Sequence, residues 1–367
     1  MKVLHVFKTY LPDGFTGIER VIWEISEGLA GNGVESHVLS VGQSPQETYS
    51  VSRHFGHQAK RDFYAASTGF SFSIFRLFRQ LSEEADIIHY HFPWPMNDLI
   101  HLKEIPRRPT VVTYHSDIVR QRTLFALYRP LMHKFLGSVD RIVATSPHYL
   151  QTSSTLQRYK SRTVVIPIGL ADQRPPQNVL VERWRQRVGE RFFLFVGALR
   201  YYKGLLFLME AAHKTGLPVV IVGDGELAGE IERQSLPNIT LLKNICDEDK
   251  AALLHLCTAF LFPSHLRSEA FGVALVEAAR AGKAMISCEI GTGTSYVNVD
   301  GETGLVVPPA DPSALADAMQ KLFNDSDCAV RMGQAARRRY ESSFRAETMC
   351  SHYLRLYREL ALRPRLA

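Results

Sequence analysis

The feature that most constrains this chain is an alternation of short β-rich runs and helical segments, played through twice. In the first half, runs rich in β-branched and aromatic residues fall at Val3–Phe7, His37–Val41, Ile87–His91, Thr110–Tyr114, Arg141–Thr145 and Val164–Ile166. Between them lie segments such as Ile18–Ala30, where Ile18, Val21, Ile22, Ile25 and Leu29 recur at helical spacing. A second series follows at Phe192–Val196, Pro218–Val222, Ile239–Leu241, Ala259–Phe262, Ala284–Ser287 and Leu305–Val307. This order predicts parallel sheets built from βαβ units, because parallel neighbours need a crossover long enough to hold a helix. Arg174-Pro175-Pro176-Gln177 interrupts the series and reads as a linker. A chain of 367 residues can fill two cores. The expectation is an α/β protein of two doubly wound domains, residues 1–172 and 173–346, facing a cleft at the carboxyl ends of their strands.

Composition narrows the class. No stretch stays apolar for the roughly 18 residues that a membrane span needs. The opening Met1–Phe7 is too short, and too soon broken by Lys8, for a secretory leader. Five cysteines, odd in number, widely spaced and without a C-x-x-C pair, point to reduced thiols in the cytoplasm rather than to disulfides or a zinc site. The net charge of +6 sits mostly in the N-terminal half: residues 1–170 hold 19 Lys and Arg against 14 Asp and Glu, the remainder 24 against 23. That asymmetry suits an anionic partner such as a phospholipid surface or a lipid pyrophosphate. No helix-turn-helix, zinc-finger or RNA-binding signature accompanies the charge, which sets nucleic acid aside. Two stretches mix cations with bulky apolar residues, Phe70–Phe78 with Arg76 and Arg79, and Arg120–Lys134 with Arg122 and Arg129. A basic amphipathic helix of this kind can dock on anionic lipid, and an ordinary helix burying one face has the same pattern.

The chemistry concentrates in Ser268-Glu269-Ala270-Phe271-Gly272-Val273-Ala274-Leu275-Val276-Glu277. Two carboxylates flank a Phe-Gly step that should open a helix, whose free N–H groups and partial positive charge suit a phosphate. Glu269, before the helix, can accept from sugar hydroxyls, and Glu277, inside it, from a ribose. An amphipathic helix with Glu277 on its wet face satisfies the same spacing. Phe195-Val196-Gly197-Ala198-Leu199-Arg200-Tyr201-Tyr202-Lys203-Gly204 places Arg200 and Lys203 where a strand ends and a helix begins, within reach of a leaving diphosphate. Gly14 and Gly17 lie in a loop that opens the helix after the first strand. The loop lacks the G-x-G-x-x-G of dinucleotide sites, which disfavours a nicotinamide enzyme. Val112-Thr113-Tyr114-His115-Ser116-Asp117 puts His115 at a strand end. His89 and His91 alternate on one strand and face one side, with no further ligand spaced to complete a metal site. Asp247-Glu248-Asp249 reads as the cap and acidic first turn of a helix rather than a metal motif.

Glu269 and Glu277, with the segments before them in the right order, resemble the E-x7-E signature of the retaining glycosyltransferases of family four, proteins of GT-B fold with two Rossmann-like domains. The resemblance spans most of the chain. It implies an N-terminal acceptor-side domain that takes back the last helix, residues 347–367, and a C-terminal nucleotide-sugar-binding domain. It also implies residue roles. Glu269 would hold donor sugar hydroxyls, Glu277 the ribose, and Lys203 with Arg200 the diphosphate, assisted by the amides of Phe271, Gly272 and Val273. Gly17 would meet the diphosphate from its loop, and His115 would lie by the donor sugar. Gly223-Asp224-Gly225-Glu226 and Asn244-Ile245 would neighbour the base. The family's Gly-Arg-Leu is here Gly197-Ala198-Leu199, so Arg200 stands two residues beyond the usual arginine. The Gly291-Thr292-Gly293-Thr294-Ser295-Tyr296 loop is similar to that of a bacterial subgroup building surface polysaccharide with mannose or rhamnose. The implied activity is metal-independent, cofactor-free transfer of a hexose, with retention, from a nucleotide-sugar to a lipid-linked saccharide, beside the cytoplasmic membrane. A UDP-hexose donor in place of GDP-mannose, or an inactive sugar-nucleotide-binding protein, stays open.

Overall fold

The computed structural model describes residues 1–45, 47–65, 68–118 and 122–362. The chain divides into two compact units, Met1–Ala171 with Ala346–Ala367, and Asp172–Arg345.

The first unit is built on β1 (Lys2–Val6), β2 (Glu35–Gly42), β3 (Tyr49–Val51), β4 (His54–Lys60), a small hairpin of β5 (Phe63–Ala65) and β6 (Thr68–Phe70), then β7 (Ile87–Phe92), β8 (Thr110–Tyr114), β9 (Arg141–Ala144) and β10 (Thr163–Val165). Eight of these form one sheet in the order β10-β9-β8-β7-β1-β2-β4-β3, parallel except for β3. Between Gln43 and Thr68, where the sequence shows no run of alternating hydrophobes, the fold places β3, β4 and β5. β4 reads His-Phe-Gly-His-Gln-Ala-Lys, and His54, His57 and Gln58 are buried in it, so a search for alternating hydrophobes passes over it. The helix Gly17–Ala30 buries Val21, Ile22, Ile25 and Leu29, as its spacing predicts. The last helix, Ala346–Ala361, packs on Gly17–Ala30 and on β7. Residues 363–367 of the expected crossover segment lie outside the described residues, as does Arg120 of the second basic stretch.

The second unit carries β11 (Phe193–Val196), β12 (Val219–Val222), β13 (Ile239–Leu242), β14 (Ala259–Phe262), β15 (Ala284–Cys288) and β16 (Gly304–Val307). All pair in parallel in the order β13-β12-β11-β14-β15-β16, which reverses direction beside β11. In doubly wound sheets, ligands bind at such a reversal, outside the carboxyl ends of the strands. Residues 172–177 enter the unit without regular structure.

Candidate active site

In the second unit three loops meet at the carboxyl ends of β11, β12 and β14. After β11 the chain makes a single 3₁₀ turn, Tyr201–Lys203, and Gly204 starts the helix Leu205–Thr215. Gly204 has φ 69°, and a Cβ there would stand 1.9 Å from the carbonyl oxygen of Pro263. Only glycine allows the two backbones so close. The contact ties the β11 loop to the β14 loop, and Lys203 Nζ donates to Glu269 Oε2 across it. Ser264 Oγ donates to the same oxygen at 3.3 Å. Lys203 also stands 4.9 Å from the centre of the Phe262 ring, so its cation is held by charge below and an aromatic face beside.

Glu269 leads into the helix Val273–Arg280, whose N-cap Gly272 sits at φ 86° and contributes no side chain to the helix end. The amides at that end are therefore placed as an anion site requires. Glu277 is not on a wet face: it is 6% exposed, and Lys250 Nζ lies 3.4 Å from its Oε1. Lys250 sits in the first turn of the helix Asp247–Leu256, whose cap is Cys246. The acidic triplet thus occupies the first turn but not the cap position. Asp249 pairs with Arg183 and accepts from Trp184 Nε1 at 2.8 Å. The Gly-rich loop after β15 buttresses the signature: Gly293 N–H donates to Ala270 O at 2.7 Å, and Arg267 Nη1 reaches Gly291 O at 2.5 Å.

Arg200 is exposed, and Leu199 beside it bonds to Asp224 O at 2.9 Å, joining the β11 loop to Gly223–Glu226. Asn244 and Ile245 border a pocket of about 430 Å³ with Arg183, Trp184, Arg187 and Lys243, beside edge strand β13. Neither Lys203 nor Glu269 lines that pocket.

In the first unit Gly17 begins its helix on the surface. The buried Glu19 carboxylate, which the sequence reading passed over, ties that loop together: its Oε1 accepts from Thr9 Oγ1 and its Oε2 from Thr16 Oγ1 at 2.7 Å. His115 follows β8 and is 7% exposed. Its Nε2 lies 2.9 Å from His91 Nδ1, and His91 Nε2 lies 3.1 Å from His5 Nδ1. His5 is the neighbour that sequence could not supply, for it stands opposite His89 only through the pairing of β1 with β7. Among the described residues His5, His89 and His91 are the group of three whose ligating atoms lie within 4.8 Å of one another. Most of their ring nitrogens are already engaged, since His89 meets Tyr357 Oη at 2.6 Å and Thr113 Oγ1 at 2.7 Å. Burial lowers the pKa of His5 and His115 to about 3 and holds His89 and His91 well below the usual imidazole range, so all four rings are neutral at pH 7.

Residues 178–339 match the family model of glycosyl transferases group 1, and residues 15–174 match that of Glycosyltransferase Family 4. The chain is 51% identical to a D-rhamnosyltransferase, WbpZ, of Pseudomonas aeruginosa, over 94% of this chain and 93% of that protein. It is 48% identical to the O-antigen chain mannosyltransferase C of Escherichia coli, over 98% and 99%. Among solved structures, the sucrose-phosphate synthase of Thermosynechococcus elongatus superposes with a TM-score of 0.81 at 19% identity, covering 98% of each chain. HepE of Anabaena, solved with UDP, gives 0.75 at 17% identity over 98% and 100%. These last two speak for the fold. Taken with the two sheets, parallel but for β3, the matches show that the chain belongs to the family four glycosyltransferases and has the GT-B fold.

Proposed function

We propose that the chain is a retaining, metal-independent hexosyltransferase of O-antigen synthesis, moving mannose or a related sugar from a GDP-sugar to a lipid-linked saccharide. The observation that carries the reading is the Lys203–Glu269 pair set beside the open end of the helix Val273–Arg280. The P. aeruginosa and E. coli relatives supply the sugar and the polymer. In this reading Lys203, Arg200 and the amides from Phe271 to Val273 take the diphosphate charge that grows as the glycosidic bond breaks, a task other enzymes give to a metal. Glu269 holds sugar hydroxyls, Glu277 the ribose, and Gly17 approaches the diphosphate. His115 lies by the sugar. The acceptor hydroxyl attacks on the face the leaving group vacates, and its proton passes to the departing phosphate oxygen.

The acceptor side is assigned to the first unit, with the unit Asp172–Arg345 taking the nucleotide-sugar. Phe63, Tyr64 and Phe72 stand 49, 63 and 73% exposed, with Arg61 5.5 Å from the Tyr64 ring. Such a cationic aromatic patch fits the headgroup layer of an anionic membrane. No helix of the described residues is long and apolar enough to cross one. The helix Ser73–Glu84 itself buries Ile74 and Phe78, and Arg79 pairs with Glu104, so the apolar face of the first basic stretch serves the fold.

The test is donor hydrolysis and thermal shift with EDTA present, over GDP-, UDP- and dTDP-sugars. Slow release of GDP from GDP-mannose is expected. Lys203→Ala and Glu269→Ala should each lower turnover by about 10²–10³-fold. Variants as active as the parent would refute the site, and a response to UDP-sugars alone would replace the donor. Failure to sediment with anionic vesicles at low salt would remove the membrane.

A further inference from the structure

The three imidazoles His5, His91 and His115 form a line across one face of the first sheet, through β1, β7 and the end of β8. Each link joins one ring nitrogen to another, so each carries one proton and needs one donor and one acceptor. All three rings are neutral, so each has a single N–H. The line therefore has two consistent settings. In one, His5 donates from Nδ1 to His91 Nε2, His91 donates from Nδ1 to His115 Nε2, and His115 carries its proton on Nδ1. In the other, every proton sits on Nε2.

The far end of the line selects between them. His5 Nε2 is fully buried and has no hydrogen-bond partner among the described residues. His89 packs against His5 with ring centres 5.0 Å apart, but its own nitrogens are committed to Tyr357 and Thr113, and Thr113 Oγ1 meets Tyr353 Oη at 2.9 Å. With every proton on Nε2, the His5 N–H would be an orphaned buried donor. With protons on Nδ1, only an unshared pair of electrons goes unused. Among buried backbone groups, orphaned N–H donors are the rarer case, and the same preference favours the first setting.

We infer that His5 and His91 are positioning residues that fix His115 as the Nδ1–H tautomer, so that His115 meets the substrate as a hydrogen-bond donor while its lone pair, on Nε2, is taken up by His91. His115 Nδ1 makes no hydrogen bond to any described residue, which leaves that N–H for an oxygen of the bound donor. The substrate half of this inference rests on the reading of His115 as a donor-sugar residue; the tautomer itself does not.

Two measurements test it. Long-range ¹H–¹⁵N correlation on the full chain labelled at histidine, at pH 7.5, should show Nδ1 protonated in His5, His91 and His115. The signals are assigned by single substitutions. An Nε2–H tautomer at His115 would overturn the inference outright, whatever the enzyme does. For function, His5→Leu removes the first donor of the line, whereas the amide of His5→Asn can still present an N–H near the place of Nδ1. With both variants folded by thermal unfolding, His5→Leu should lower kcat for GDP-mannose hydrolysis about 10- to 100-fold at an unchanged KM. His5→Asn should recover most of the loss, and equal losses in both would remove the positioning role. If the parent protein turns over no nucleotide-sugar while the spectrum shows Nδ1–H, the tautomer stands and the assignment of His115 to a donor sugar falls.

Discussion

The two units use the same βαβ grammar and differ in what stands at the middle of the sheet. In the second unit the sheet is sealed by hydrocarbon, with Phe193, Leu208, Met209, Ile221, Leu261, Ile286 and Met319 among its buried residues. Its buried carboxylate Glu277 lies in the helix Val273–Arg280, and the Lys203–Glu269 pair sits in the working loops at the carboxyl ends of the strands. In the first unit a row of His5, His89, His91 and Thr113 runs through the middle of the sheet, and the last helix covers it with the hydroxyls of Tyr353 and Tyr357. One core is held by close packing and tolerates change of pH. The other adds to its buried hydrocarbon a row of matched donors and acceptors that holds only while its imidazoles stay neutral.

Acid should separate the two most. The four rings have folded pKa values depressed below their unfolded value of about 6.5. Their stabilisation is complete above that pH and is lost as the pH falls, because the unfolded chain binds protons that the folded one refuses. Each ring adds up to about 1.4 kcal/mol per pH unit. Between pH 7 and 5, amide exchange corrected for intrinsic rate should accelerate in β1, β7 and β8 well before β11, β12 and β14. Equal acceleration would break the comparison.

Leu208→Ala probes the hydrocarbon side. It opens a hole in a fully buried site and should cost about 2–5 kcal/mol. The loss of exchange protection should be confined to the second unit and indifferent to pH. Gly204→Ala asks whether the working loops are as rigid as the core beneath them. Its φ and the Pro263 carbonyl oppose a side chain, at about 1–3 kcal/mol. Turnover should fall further than stability, because the shift moves Lys203. A variant that unfolds early yet keeps full turnover would contradict this.

The smallest effect should come from Asp98, buried in the first unit with Tyr128 Oη donating to its Oδ2. Burial raises its pKa well above the usual carboxylate range. The folded state therefore holds the extra proton, and stability present at low pH is lost as the pH rises past about 3.9, the unfolded value. Asp98→Asn should raise Tm modestly at pH 7, with the gain vanishing towards pH 4. A lower Tm at pH 7 would mean that the carboxylate is tolerated as an ion.

The same contrast explains what could be read from the chain. The second unit's strands announce themselves as runs such as Phe-Leu-Phe-Val, because a parallel strand buried on both faces needs little else. Glu269 and Glu277 were legible because their spacing lies within one local segment. Lys250 was not, since it reaches Glu277 only by tertiary approach. Ser264 and Glu19 meet partners in their own segments, and Thr16-Gly17-Ile18-Glu19 has the spacing of a capping box, so those two were within reach of the sequence. β4 was missed because polar residues form its buried side, and His5 because nothing in Val3-Leu4-His5-Val6 marks a residue that will stand beside His89.

That the first sheet is covered by the helix Ala346–Ala361 has a consequence for how the protein is made. Residues 172–345 are synthesised between that sheet and its cover, which at ribosomal speed takes about 10–35 s. Through that interval His89 and Thr113 are without the Tyr357 and Tyr353 hydroxyls that meet them in the finished fold. The pairing that gives this sheet its sensitivity to acid is therefore completed last, after the whole of the second unit has been made.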